Sequence, residues 1–182
     1  MRIWHDQALI KQPWSNPTGF HNDVPYWSFR SAHAASLWVA LDDASLQNGC
    51  LHMVPGSHAA ILAEGEEGAF AETKISKNVG AMMTDDHPAS IGHLDAVPIE
   101  YRAGDASIHN GLTAHGAGPN MTPRARRAMT LQMMPAGATF SGTRNILGDE
   151  RFAALTPGDD LADDTENPVL WLSGGGGGPA SA

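Results

Sequence analysis

Cysteine is almost missing: Cys50 stands alone among 182 residues. The chain therefore forms no internal disulfide, which fits a reducing cytoplasm. Positive charge is scarce as well. There are 11 Lys and Arg against 20 Asp and Glu, a net charge of -9. A nucleic-acid binder needs a basic face to neutralise phosphates, and an anionic membrane is gripped by the same kind of charge. The balance argues against both partners. No run of about 18 apolar residues is available to span a bilayer. The opening MRIWHDQALI lacks the basic-then-apolar layout of a secretory leader. Helical periodicity is also rare, so an all-α fold is a poor fit.

What the sequence does have is a series of short apolar stretches punctuated by glycine and proline. Ala35 to Leu41 reads as a buried strand. Asn48-Gly49 follows as a hairpin turn signal, with Cys50 to Val54 as the return strand. Ile99 to Tyr101, Ala106 to His109 and Ala128 to Met134 read as further strands. Many short strands between turns predict a mainly β sandwich or barrel with little helix. Ala59 to Asp95 reads as a long insertion with one short helix, the kind of segment that serves as a lid or binding loop. Residues 1–172 are expected to form one domain. Ser173 to Ala182 is a low-complexity, Gly-rich tail expected to be disordered.

Nine histidines are many for this length, and spacing must decide between them. His21-Asn22-Asp23 places an imidazole and a carboxylate two positions apart, which on an extended strand puts both on one face. Such a pair supplies two of the three ligands in the triad of two histidines and one carboxylate that leaves open positions on Fe(II). A surface histidine beside a solvated aspartate would read the same way. A triad needs a distant third histidine. His115 lies in a Gly-rich run behind the short strand that Gly104-Asp105 precedes, and Arg126 stands 11 positions beyond His115. Arginine suits an enzyme that must hold a dicarboxylate cosubstrate, because its planar fork meets a carboxylate through two parallel hydrogen bonds. On the bland reading, His115 is a loop residue, and Arg124, Arg126 and Arg127 are a solvated basic patch.

Four blocks in this order carry a resemblance: ALIKQPW (8–14), FHNDVPYW (20–27), LWVALDDASLQNGCLHMVPGSH (37–58) and GDASIHNGLTAHGAGPNMTPRARRAM (104–129). Together they resemble the phytanoyl-CoA dioxygenase family of Fe(II)- and 2-oxoglutarate-dependent oxygenases. The resemblance implies a double-stranded β-helix, a jelly roll of the cupin type. It implies His21, Asp23 and His115 as metal ligands, and Arg126 as the anchor for the 5-carboxylate of 2-oxoglutarate. Trp38 matches an aromatic that lines the cosubstrate pocket, although a core tryptophan on a buried strand would look the same. Gln7 falls where the family often has a polar or Met contact to the cosubstrate, and Asn22 where it often has Gln. The implied reaction takes a small-molecule or acyl substrate and O2, and releases succinate and CO2. Related halogenases have a small residue in place of the carboxylate, so Asp23 favours hydroxylation.

Two departures stand out. The family often has a serine two residues after the distal histidine, where this chain has Ala117. Family members also usually carry a substantial region before the ALIKQPW block, which normally packs against the barrel. Its lack is expected to leave apolar edges that favour a homo-oligomer, and it keeps open a catalytically impaired or structural protein. A zinc hydrolase on a cupin-like scaffold is a third reading, disfavoured by Arg126. His58, in the PGSH turn, is expected to be structural. His33, His52, His87 and His93 have no partner spacing that marks them as ligands. Asp85, Asp86 and His87 read as a solvated loop.

Overall fold

The computed structural model describes residues 1–65, 91 and 94–171. The expectations for His87, His93, Asp85, Asp86, most of the insertion and the Gly-rich tail lie outside these residues. Among the described residues, eight strands form two four-stranded sheets. They are β1 (Arg2–Lys11), β2 (Thr18–His21), β3 (Ala35–Ala40), β4 (Leu51–Met53), β5 (Val97–Ile99), β6 (Ala106–Asn110), β7 (His115–Ala117) and β8 (Arg126–Met134). One sheet runs β1-β8-β3-β6 and the other β2-β7-β4-β5, and every strand pair is antiparallel. This is the expected jelly-roll architecture. Helix among the described residues is confined to a 3-10 turn at Val24–Tyr26, α1 (Ser57–Ala63) and α2 (Asp149–Ala154). Among the described residues, no helix is long and apolar enough to cross a membrane.

Alternation explains how the first sheet faces the interior. Along β8 the buried side chains are Arg126, Ala128, Thr130, Gln132 and Met134, and along β3 they are Ser36, Trp38 and Ala40. Successive residues point to opposite faces, so these belong to one inner surface. The register aligns Gln132 with Ser36 and Ser36 with His109. That row of three polar side chains crosses β8, β3 and β6 where a sandwich would ordinarily bury apolar groups. Apolar packing is concentrated on either side of it. Trp38, Ala40, Leu51, Met53, Tyr101, Ala117 and Ala128 form one cluster, drawn from both sheets. Trp4, Phe20, Trp27, Phe29, Ile61, Leu112, Met134 and Leu161 belong to a larger one.

The hairpin expected across Asn48-Gly49 does not form. β3 pairs with β6 and β8, whereas β4 pairs with β5 and β7 in the other sheet. A two-residue type I′ turn needs positive φ at both central residues. Gly49 has it, at 88°, and Asn48 does not. Asn48 instead accepts a bond from the Ser45 N–H through its side-chain Oδ1, at 2.7 Å, and builds a corner between the sheets. The strand expected at Ile99 to Tyr101 is shifted to Val97–Ile99, and Tyr101 makes only an isolated bridge to Ala44. β1 is the longest described strand and lacks a clear apolar alternation; it lies at the sheet edge against β8, and only its start makes a further bridge, Arg2 to Val169.

Candidate metal and cosubstrate site

His21 closes β2 and His115 opens β7, and the two are directly paired across the sheet. They are neighbours on hydrogen-bonded strands rather than on facing ones. Asp23 lies beyond the strand end. Its φ of -82° and ψ of -38° place it at the head of the 3-10 turn. The carboxylate therefore joins the imidazoles through a bend, and not through the strand alternation that the spacing suggested. The Gly111 carbonyl fixes that bend by accepting from the N–H of both Asp23 (2.8 Å) and Val24 (3.1 Å).

The atoms that His21, Asp23 and His115 could offer to a metal all lie within 4.8 Å of one another. Asp23 Oδ1 is 3.7 Å from His21 Nε2 and 3.8 Å from His115 Nε2. Each imidazole is oriented from behind by a carbonyl two residues upstream. His21 Nδ1 meets Gly19 O and His115 Nδ1 meets Thr113 O, both at 2.9 Å. A carbonyl can only accept, so both Nδ1 atoms carry the proton and both Nε2 lone pairs turn towards Asp23. Burial lowers the pKa of both rings, and each is further lowered by an adjacent imidazole. Burial by itself would raise the Asp23 carboxyl, but His115, His109, His21 and the Ser36 hydroxyl together hold it well below the usual carboxylate range. Two neutral imidazoles and one carboxylate fit a divalent first-row metal. Ligands at about 2 Å from one ion stand roughly 3 Å apart, so a small closing movement would suffice.

Sequence reasoning missed the residues behind Asp23. Ser36 Oγ donates to Asp23 Oδ2 at 2.6 Å, leaving Oδ1 turned to the histidines. His109 Nε2 sits 3.7 Å from the same Oδ2, too far for a hydrogen bond. The His109 ring lies 4.6 Å from that of His115, and neither of its nitrogens has a hydrogen-bond partner among the described residues. His109 is the single buried position of β6, a fact that only the structure reveals.

These residues line a cavity of about 600 Å³ that also takes in Gln7, Lys11, Trp38, Arg126, Thr130 and Gln132. Arg126 is 3 % exposed. Its Nη2 donates to Gly49 O at 2.8 Å, and its Cζ stands 5.3 Å from the centre of the Trp38 ring. Arg127 points the other way and pairs with Asp42 through two side-chain bonds, and Arg124 is exposed. Trp38 serves both readings at once, being a buried core residue and part of the cavity wall. Gln7 is exposed and stands at the cavity rim. Ala117 lines the cavity without a hydroxyl. His58 is absent from its lining. Its neighbour Ser57 is structural: its Oγ donates to Val54 O and accepts from the N–H of Ala114, beside His115. His52 is buried on β4, and His33 is exposed.

The family model for phytanoyl-CoA dioxygenase (PhyH) matches residues 1–128. The chain belongs to this family. It is 28 % identical over 141 residues to the phytanoyl-CoA dioxygenase domain-containing protein 1 of Rattus norvegicus, a match covering 76 % of the chain and 47 % of the relative. It is 30 % identical over 115 residues to phytanoyl-CoA dioxygenase 1 of Oryza sativa subsp. japonica, covering 63 % of the chain and 37 % of that protein. The chain thus spans about half or less of these curated relatives. Among solved structures, it is similar to SnoN, the non-heme α-ketoglutarate-dependent epimerase of nogalamycin biosynthesis. That match has a TM-score of 0.70 and 26 % identity, covering 93 % of the chain and 63 % of SnoN. SnoK, a carbocyclase described in the same terms, matches with a TM-score of 0.68 and 26 % identity, covering 89 % of the chain and 59 % of SnoK. SnoN has also been solved in complex with Fe3+, α-ketoglutarate and nogalamycin RO.

Proposed function

We propose that this chain is an Fe(II)- and 2-oxoglutarate-dependent oxygenase that hydroxylates a small-molecule or acyl substrate. The reaction would be R–H + O2 + 2-oxoglutarate → R–OH + succinate + CO2. The observation that carries the reading is the convergence of His21, Asp23, His115 and Arg126 on one cavity in a member of this family. The buried Arg126 in the wall of that cavity favours a carboxylate-bearing cosubstrate over a zinc hydrolase.

The roles follow from the residues. His21 and His115 would hold the iron through Nε2, fixed in the right tautomer by Gly19 and Thr113. Asp23 would hold it through Oδ1, because Ser36 engages Oδ2. Three protein ligands would leave open positions on the metal, which when bound would supply Lewis acidity and the oxidising power drawn from O2 and the 2-oxo acid. Arg126 would bind the distal carboxylate with its fork, and Trp38 beneath it keeps the guanidinium in place. Leu9, Leu51 and Ala117 supply apolar wall that limits water beside these charges.

The likeness to SnoN and SnoK favours one variation, in which the same oxidising site ends in epimerisation or ring closure instead of oxygen transfer. The test has two stages. Anaerobic titration of the full chain with Fe(II) and 2-oxoglutarate should develop the weak visible charge-transfer band of the chelate. Turnover under 18O2 then separates the outcomes: label in the product supports hydroxylation, and an unlabelled, rearranged product supports the variation. Absence of the band, with iron bound, would remove the cosubstrate from the proposal.

A further inference from the structure

The sheet β1-β8-β3-β6 carries its polarity the wrong way round. An antiparallel sheet in a sandwich ordinarily turns its apolar residues to the core and its polar ones to water. Here the inner face holds the polar row Gln132, Ser36 and His109. The alternate residues of the same strands point outward. The register aligns Ile108, Leu37 and Leu131 in one outward row and Val39 with Met129 in the next, and Met133 continues the patch along β8. Ile108 is 69 % exposed and the other five are half-buried. None of the six belongs to either interior cluster. Both described helices pack into the larger cluster instead, α1 through Ile61 and α2 through Phe152.

Four strands about 4.8 Å apart, with outward side chains recurring every ~7 Å, make this face roughly 20 Å on a side. A contiguous apolar patch of that size marks an interaction surface. Two such faces in contact would withdraw on the order of 1,000 Å² from water, the lower bound for a specific interface. Shape and charge select the occupant. A small ligand needs a concave pocket, whereas a sheet face suits another sheet packed about 10 Å away. The chain carries -9 overall, so two copies repel each other across most of their surface. On this face the charged side chains are Asp6, opposite Leu131 on the edge strand, and Arg127, which is paired with Asp42. Two acidic copies can therefore meet here with little contact between like charges. Nucleic acid or an anionic membrane would find only Arg127 to hold, and its charge is already matched.

We propose that the outer face of this sheet, centred on Leu37 and Leu131, is a homodimer interface covered by the same face of a second copy. The contact is isologous, the same patch on both partners, as in most two-fold dimers. The sequence led to an expectation of self-association through apolar edges, and this surface is a face. The proposal is independent of the function proposed above. It gives a reason why β3 and β8 can turn polar groups inward: the apolar burial that fixes their register is then supplied from outside. A contact of this size between two chains of like charge is weak and concentration-dependent.

The test is sedimentation velocity of the full chain from low micromolar to submillimolar concentration. The native chain should pass from monomer to dimer over that range. Ile108→Glu and Leu131→Glu bring a charge into the contact and should each weaken dimerisation by about tenfold or more. Leu46→Glu changes an equally apolar residue, 50 % exposed, that lies off this face, and should leave dimerisation unchanged. Added salt should tighten the dimer, because it screens repulsion between the acidic copies. A second measurement uses the native chain alone and so does not depend on a variant folding. Peroxide should oxidise Met129 and Met133 more slowly at high protein concentration than at low, while Met121, 59 % exposed and off the face, keeps its rate. A native chain that stays monomeric throughout would overturn the proposal, whatever else covers the patch. So would a dimer that both glutamate variants retain in full, one that salt loosens, or one in which Met129 and Met133 oxidise as fast as in the monomer.

Discussion

The two ends of the cavity are built on opposite rules. At the metal end every group is committed before a ligand arrives. Both ligating imidazoles lean on a backbone carbonyl, Asp23 is tied through Oδ2 to Ser36, and the bend that carries Asp23 hangs from Gly111. At the other end the groups are uncommitted. Arg126 and Lys11 are buried, spend one side-chain bond each on backbone carbonyls, and face no acid among the described residues. The difference matches the chemistry each end would serve. A metal site gains from donors that hold orientation and tautomer in advance. A carboxylate subsite gains from donors that the ligand itself completes, since unsatisfied buried donors favour the bound state.

Four changes would break or sharpen this contrast. The largest effect is expected from Asp23→Ala, which removes a ligand and the only carboxylate of the triad. Iron-dependent succinate formation should be abolished, and the Fe(II)–2-oxoglutarate band should be lost in anaerobic titration. Retention of both would refute the assignment of Asp23. Next comes Ser36→Ala, which leaves the triad intact but frees Oδ2. Loss of an orienting partner behind a ligand typically costs about ten- to hundredfold in metal affinity. Competition with a fluorescent chelator should read that loss, and an unchanged affinity would mean that Asp23 is oriented without Ser36.

Arg126→Lys should leave iron affinity alone and weaken 2-oxoglutarate by about tenfold, because a point charge replaces a fork. A parallel fall in iron affinity would show that the two ends are not separable. The smallest effect is expected outside the cavity, at the Asp42–Arg127 pair. Bonds from Arg127 bring the Asp42 carboxyl down from 3.8 to about 2. A lowered carboxyl stabilises the fold above its unfolded pKa and loses that contribution as pH falls from about 4 towards 2. The Arg127 side chain is 61 % exposed, so the contribution is small and screened by salt. Asp42→Asn should therefore flatten the acid limb of a pH–stability profile slightly, at low ionic strength only, and leave cosubstrate binding unchanged. A change in 2-oxoglutarate affinity would show that the Asp42 charge reaches Arg126 strongly enough to matter for the cavity.

Much of the architecture was legible in residue patterns. The strands at Ala35–Ala40, Ala106–Asn110 and Arg126–Met134 follow from apolar runs and alternation, and the ordered motif blocks pick out His21, Asp23, His115 and Arg126. Alternation also separates Arg126 from Arg127, since neighbours on a strand face opposite ways. Other features could not be read this way. Local turn chemistry at Asn48-Gly49 suggested a hairpin, but partner choice between strands is a long-range matter, and β4 finds β7 and β5 instead. His-x-Asp spacing suggested shared strand faces, whereas a hydrogen bond to Gly111, almost ninety residues on, bends the backbone there.

The sequence by itself determined which chemistry is available: two histidines, an aspartate and an arginine in family order, on an acidic chain of net charge -9. Only the tertiary structure decided which further residues join them. Lys11 and His109 lie inside motif blocks but at positions that no spacing marks as functional, and Ser36 looks like an ordinary strand residue. They reach the cavity because antiparallel register aligns Ser36 with His109 and Lys11 with Arg126. Register is fixed by burying one face of every strand at once, a collective condition that no short stretch of sequence contains.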